Sequence, residues 1–350
     1  MTSIKVSDKT KFLIVLGIVL FEIAFVHLTK DQPRVVDSTN QKSVTVEINE
    51  EDYEIVKSPE LVSTTASLAD NNSDEKLEVH FIDVGQGDAI YIGYDDFDML
   101  IDGGNNEDGP FVVQYLEDQG VENIDLMVAT HAHEDHIGGL DDVLKTFKVK
   151  MVIDSGQVRD TKTYNDYMSA VKESGATLIE DDTRTFMIND QFKVDIIDVI
   201  DDHEETNNNS VITKLEYRDV SFLFTGDLEA EVEQMLLMYP IEATVYKAGH
   251  HGSSTSNSDM FLRRVHPDLI IVSAGLNNKY GHPHQEALTR LLKQTDKIYG
   301  TWENGTIIVM SDGKTMEVSA NELVTMEDAH ASGEMIEAKE TKEWWYKLFQ

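Results

Sequence analysis

Apolar and polar positions fall along this chain in three regimes. Residues 12–28 read FLIVLGIVLFEIAFVHL, apolar but for Glu22 and His27, with Lys5, Lys9 and Lys11 before them. This is the pattern of a signal segment or membrane anchor. The polar stretch Thr29-Lys30-Asp31-Gln32 that follows offers no small-residue cleavage site, so an uncleaved N-terminal membrane anchor over 1–30 is expected. The lysines would hold the N-terminus inside and put the rest of the chain outside the membrane, or in the medium if the segment is cleaved. Residues 31–76 scatter few apolar positions among Ser, Thr, Asn, Asp and Glu, as an acidic flexible linker does.

From residue 77 the pattern turns to short β-type runs alternating with amphipathic ones. Strands are predicted at 77–84, 89–92, 99–101, 125–130 and 150–153, with helices at 111–119 and 137–147. A second series has strands at 191–198, 210–217, 220–225, 243–247, 268–272, 297–300 and 306–310. Its helices fall at 229–238, 259–265 and 285–293. Two β-rich halves with helices outside predict a mixed α/β domain over 77–320, an αββα sandwich whose site lies where the loops after the strands converge. Residues 321–350 read as an acidic, helix-compatible tail. It ends in Trp344-Trp345-Tyr346-Lys347-Leu348-Phe349, aromatic residues expected to pack on the domain.

Composition narrows the chemistry. With 350 residues, 41% of them hydrophobic, the chain can bury one sizeable core. It has no cysteine. A thiol nucleophile, a zinc ribbon, an iron–sulfur cluster and disulfides are excluded, and any metal must be held by His, Asp, Glu or Asn. Formal charge is −36, of which −27 falls between residues 77 and 321. A field of that sign repels nucleic acid and anionic lipid unless a metal or a local cationic centre overrides it, and its plainest use is solubility in a salty or extracellular medium.

The densest chemistry is Thr130-His131-Ala132-His133-Glu134-Asp135-His136-Ile137-Gly138-Gly139. An apolar strand precedes it and a helix follows, so the four potential ligands occupy a connection fixed at both ends. Two imidazoles two residues apart can converge on one ion while Asp135 and His136 turn toward a second. Neutral imidazole and carboxylate suit zinc, manganese or iron. Gly226-Asp227 closes another apolar strand, and VYKAGHHGSS at 245–254 ends a third with His250 and His251. Tyr280-Gly281-His282-Pro283-His284 adds a further candidate: His282 could hydrogen-bond a phosphate or protonate a leaving group.

The run His131, His133, Asp135, His136 resembles the HxHxDH signature of the metallo-β-lactamase superfamily. The resemblance implies that His131 and His133 hold one metal, Asp135 and His136 the other, and that Asp227, ending SFLFTGD, bridges both. One of His250 and His251 should complete the second site and the other contact substrate. His250, the first off the strand, is preferred as the ligand. Wording around the site is more specific: VHFIDVGQGDAIYI at 79–92, LIDGG at 100–104, NNNSVITKL at 207–215, the HHGS segment, and NKYGHP at 278–283. In this order it resembles the C-terminal hydrolase domain of ComEC-type competence proteins, the DNA-uptake channels of bacteria. The likeness covers roughly 77–318 and leaves out the family's multi-span channel.

Many members of the superfamily supply a third histidine to the first metal from the interval before the bridging aspartate. Here that interval holds only His203, in an acidic loop, so the first ion would be weakly held, and Asn208 or Asn209 would face the site instead. Asp102 would orient a ligand histidine or shape its turn. Gly85-Gln86-Gly87-Asp88 is too short and wrongly placed for a phosphate-binding loop, so no nucleotide cofactor is implied, and no serine sits in a nucleophile elbow.

The expectation is a hydrolase with two divalent ions, Zn2+ or Mn2+, about 3.5 to 4 Å apart, which lower the pKa of a bridging water for in-line attack on a phosphodiester. Asp135 would orient the resulting hydroxide, and His282 or His251 would stabilise the leaving oxygen. DNA is the substrate the resemblance implies, cut by a nuclease outside the membrane. Two alternatives stand beside it: a phosphodiesterase on smaller or cell-surface substrates such as phosphorylcholine groups, and a non-catalytic anchored metal-binding protein.

Overall fold

The computed structural model describes residues 76–329 apart from 181 and 200–202, all within the unit Asp70–Gln350. The apolar run at 12–28, the linker up to residue 75 and the aromatic end at 344–349 lie outside the described residues. Among the described residues no helix is long and apolar enough to cross a membrane.

Six strands come first: β1 (Leu77–Phe81), β2 (Ile90–Tyr94), β3 (Phe97–Ile101), β4 (Asn123–Ala129), β5 (Lys148–Asp154) and β6 (Thr177–Glu180). A second run follows with β7 (Arg184–Met187), β8 (Phe192–Ile197), β9 (Ile212–Tyr217), β10 (Val220–Phe224), β11 (Val245–Lys247), β12 (Leu269–Val272) and β13 (Ile298–Gly300). Strands β14 (Ile307–Ser311) and β15 (Met316–Val318) then return to the first set. One sheet has the order β15-β14-β1-β2-β3-β4-β5-β6, the other β13-β12-β11-β10-β9-β8-β7.

Residue alternation decides how these sheets stack. In β4, Leu126 and Val128 enter the core between the sheets while Met127 and Ala129 face helices. In β10, Phe222 and Phe224 point inward and Leu223 outward; in β12, Leu269 and Ile271 oppose Ile270 and Val272. Strands covered on both faces carry apolar residues at successive positions, which is why these segments read as continuous hydrophobic runs. The outer face of the first sheet is closed by Val112 of α1 (Gly109–Asp118), Val143 of α3 (Leu140–Thr146) and Tyr167 of α4 (Lys162–Ser174). Between α1 and α3 lies the single turn α2 (Glu134–Ile137). The second sheet is closed by Val232 of α5 (Ala230–Leu236), Phe261 of α6 (Asp259–Val265) and Leu288 of α7 (Gln285–Leu291). The result is the αββα sandwich.

Within it, β3 to β6 run parallel, as do β10 to β13. Parallel neighbours need crossover connections, so their C-terminal ends gather at one edge. The antiparallel pairs β1–β2 and β2–β3 bring the end of β1 to that edge too.

Three details differ from the sequence reading. The helix expected over 137–147 is two helices, α2 and α3, parted at Gly138-Gly139. A Cβ on Gly138 would strike the backbone of Asn105 and Asn106, and one on Gly139 the Gly103 carbonyl, so the chain can pass this close only as glycine. Helix α4 was missed because its stripe is thin: Thr163, Tyr164, Tyr167, Ala170 and Val171 are buried in an otherwise polar segment. Its boundaries were legible, since the Thr161 side chain caps Tyr164 N and left-handed Gly175 ends it. The expected end of the domain at residue 320 also falls short, for Leu323 bridges to Tyr299 and Val324 is buried against the second sheet's outer core.

Candidate metal centre

Three connections at the shared strand edge deliver the candidate ligands, each by a different local device. After β4, His131 leaves the strand buried, His133 takes an extended conformation at the exposed start of α2, and Asp135 and His136 lie in that turn. After β10, Gly226 at φ +50 turns Asp227 back into the protein. After β11, His250 and His251 both adopt left-handed backbone, with φ of 51° and 53°. Such conformations cost a non-glycine residue about 1 to 2 kcal/mol each, so the surroundings must enforce them. Asn257 does so: its Oδ1 accepts from Gly249 N and Tyr246 Oη, both at 3.0 Å, and its Nδ2 donates to Gly249 O at 2.9 Å.

These connections bring one ligand atom each of Asp135, His136, Asp227 and His251 to within 4.8 Å of one another. His136 Nε2 lies 3.3 Å from Asp227 Oδ2, and His251 Nε2 lies 3.5 Å from Asp227 Oδ1 and 3.6 Å from Asp135 Oδ2. The far nitrogens are already engaged. His136 Nδ1 donates to Asp102 Oδ2 at 2.8 Å and His251 Nδ1 to the Ser273 carbonyl at 3.0 Å, so both rings present Nε2 lone pairs to the same space. His136 Nε2, His251 Nε2 and Asp227 Oδ1 are buried with no hydrogen-bond partner. Orphaned buried polar atoms are costly, and three that converge fit a cation.

Charge leads to the same conclusion. Burial opposes protonation of His136, yet Asp227 and Asp102 hold its ring well above the usual imidazole range; His251 is likewise held high against burial by Asp227 and Asp88. Against burial, His251, His136 and His250 keep Asp227 well below the usual carboxylate range, and His251 and His136 do the same for Asp135. The carboxylates thus call for positive charge at the point the orphaned atoms face, which a divalent ion supplies. Burial, with help from His136, holds His131 low and neutral, and partial desolvation beside His136 lowers His133 as well, as ligands require.

The first pair is less gathered. His131 Nε2 lies 3.1 Å from His133 Nδ1 and 3.9 Å from Asp227 Oδ2. His250 stands outside the four-residue group, its Nε2 3.6 Å from Asp227 Oδ2 on the same carboxylate oxygen that His131 approaches. The structure groups His251, and not the expected His250, with Asp135 and His136. His251 is the deeper of the two: it is fully buried with Nδ1 on the Ser273 carbonyl, whereas His250 is half-buried.

Asn208 and Asn209 do not face the cleft, contrary to expectation. Asn208 Oδ1 accepts from Glu229 N, while Asn209 clamps the backbone of His203 and Glu205. Their neighbour Asn207 takes the position instead, with Nδ2 3.5 Å from His250 Nε2. Asp102 also accepts from Thr130 N and Thr130 Oγ1. His282 is buried on a loop clasped by Asn278, which binds its backbone N and O. A cleft of about 280 Å³ opens over the group, with Gln86, Asn207, Tyr280 and His282 in its walls.

Two buried residues escaped the sequence reading. Lys247 Nζ pairs with Asp88 Oδ2 at 2.5 Å, and Asp88 Oδ1 is 3.4 Å from His251 Nδ1. Asp88 hid in a glycine turn, but a lysine ending an apolar strand was a usable signal, because such a charge, once buried, requires a partner.

A family model described as the metallo-β-lactamase superfamily matches residues 82–275. The chain belongs to this superfamily. Among curated relatives it is similar to ComE operon protein 3 of Bacillus subtilis, 36% identical over 66% of this chain and 32% of that one. Recombination protein 2 of Haemophilus influenzae is 27% identical over 71% of this chain and 31% of its own length. This metallo-β-lactamase domain thus corresponds to about a third of each of these relatives. Among solved structures, the metallo-β-lactamase fold protein YhfI of Bacillus subtilis aligns over 68% of this chain and all of its own, with 9% identity and a TM-score of 0.45.

Proposed function

We propose that the chain is a metal-dependent phosphodiesterase that cuts DNA outside the membrane, with two divalent ions, zinc or manganese. The convergence of three partnerless buried atoms, His136 Nε2, His251 Nε2 and Asp227 Oδ1, carries this reading. Asp135, His136, Asp227 and His251 would hold one ion; His131, His133 and the other oxygen of Asp227 would hold the second, with His250 beside it. When bound, such ions polarise phosphoryl oxygens and make water acidic enough to attack.

The chain's own groups then have distinct tasks. Asp102 and the Ser273 carbonyl keep the ligand rings in the tautomer that leaves Nε2 free. Asp135, on the cleft side of the group, is ionised and can accept a hydrogen bond from the attacking water. Asn207 and His282, both in the wall of the cleft, offer donors to phosphoryl oxygens. Burial, with His251 and His250 beside it, lowers the His282 pKa to about 2, so the ring enters the reaction neutral.

Similarity to proteins named for competence and recombination supports DNA as the substrate. The domain's charge of −27 favours the second reading, a smaller phosphodiester such as a cell-surface phosphorylcholine group. The full chain, loaded with Zn2+ or Mn2+, should be assayed on linear single-stranded DNA, a phosphorylcholine ester and bis-nitrophenyl phosphate. Cleavage of DNA abolished by chelator and by Asp227→Asn is expected. Activity that survives exhaustive metal removal would sink the proposal.

A further inference from the structure

We propose that Gln86 is a positioning residue that fixes the His282 ring in the tautomer with its proton on Nε2, so that His282 serves the cleft as a hydrogen-bond donor and not as a base. Only the kinetic consequence rests on the phosphodiesterase reading.

Gln86 lies between β1 and β2, and His282 lies after β12. Their loops approach so closely that a Cβ on Gly275 would stand 2.8 Å from Gln86 N. Gln86 is tied down at both ends: its carbonyl accepts from Asn105 Nδ2 at 2.8 Å, and its Oε1 accepts from Gly275 N at 3.3 Å. With the amide oxygen engaged, Nε2 of Gln86 is the atom facing His282 Nδ1, at 3.4 Å. An amide nitrogen only donates, so His282 Nδ1 must carry the lone pair, and a neutral imidazole then bears its hydrogen on Nε2.

The ring is not free to turn away from this bond. Tyr280 stacks near it at 5.7 Å and 20°, and His251 at 6.1 Å and 24°. Turning it over would set a carbon against the Gln86 amide. Nδ1 is covered by Gln86 and Nε2 is already protonated, so neither nitrogen can take a proton from water. What remains is an N–H on a ring that lines the cleft, which strengthens its hydrogen bond as negative charge grows on a phosphoryl or leaving oxygen and keeps its proton throughout.

The test uses full-length protein labelled with 15N-histidine, with the His282 signals identified by their loss in His282→Gln. Long-range nitrogen–proton spectra are expected to show the proton on Nε2 in the wild type and on Nδ1 in Gln86→Glu, whose carboxylate accepts from the ring. A wild-type proton on Nδ1, or spectra unmoved by Gln86→Glu, overturns the proposal. In kinetics, Gln86→Met should lower kcat for a thymidine dinucleotide, whose leaving group is an alkoxide, roughly 10- to 100-fold with KM little changed. The loss should be smaller for a thymidine nitrophenyl ester, whose leaving group needs little help. Equal losses on both would count against the donor role. If the wild type hydrolyses neither ester, the phosphodiesterase reading fails while the spectra still decide the tautomer.

Discussion

Asp102→Asn isolates the way the site presents His136 to a cation. Asp102 accepts from Thr130 N at 2.8 Å, from Thr130 Oγ1 at 2.7 Å and from His136 Nδ1 at 2.8 Å. A carboxylate can accept all three, whereas an amide has one accepting oxygen and one donating nitrogen. If the oxygen stays on Thr130 N, the NH2 faces the hydroxyl and the ring. The Thr130 hydroxyl can rotate to accept, but the fully buried His136 can answer only by moving its proton to Nε2, the atom aimed at the ion. Loss of a group that orients a metal-bound histidine weakens metal binding about 10- to 100-fold, which is roughly 1.4 to 2.8 kcal/mol. Competition of the full chain against a chelating indicator, with zinc and separately with manganese, measures this directly. An affinity within twofold of wild type would refute the reasoning, because it would mean that His136 needs no acceptor at Nδ1 or does not bind the metal.

Other outcomes follow from the packing. Gly139→Ala drives a methyl group into the Gly103 carbonyl and to 2.8 Å from Gly109 Cα, so urea unfolding should show a loss of about 1 to 3 kcal/mol; an unchanged midpoint would mean that α3 can shift without cost. Asn257→Ala removes the bonds that enforce the left-handed His250-His251 pair and should cost about 2 to 3 kcal/mol while weakening metal binding; stability unaltered within about 0.5 kcal/mol would contradict that support. Buried His80, whose Nδ1 meets Tyr115 Oη at 2.7 Å, has its pKa lowered by burial from 6.5. Below about 6.5 the unfolded ring therefore takes a proton more readily than the folded one, and stability falls with pH until the folded ring also titrates. His80→Gln should flatten the stability profile of the metal-free protein in that window and leave it unaltered above, and an identical acid limb in both proteins would refute this.

The sheets were legible because strands buried on both faces, such as β12 and the later parts of β4 and β10, carry apolar residues at successive positions. Elements with thin or one-sided burial were not: α4 hides its stripe among polar residues, and β6 and β7 have no buried position. At the site, residue types and spacing announced His131, His133, Asp135 and His136, since few other uses exist for so many ligating groups in one short connection. Spacing could not choose between His250 and His251, or among Asn207, Asn208 and Asn209. That choice depends on backbone turns, left-handed in the first case and a 3-10 turn over Thr206–Asn209 in the second, which set where each neighbour points. Gln86, Asp88 and Lys247 act through tertiary contacts to residues far along the chain, and a linear reading shows only half of each pair.

Asp135, His136, Asp227 and His251 are proposed to share one cation. Anomalous diffraction from zinc-soaked crystals of the full chain tests it most directly. A peak is expected about 2.0 to 2.2 Å from His136 Nε2, His251 Nε2 and a carboxylate oxygen. Zinc bound elsewhere, or at His250 with His251 left free, would contradict it.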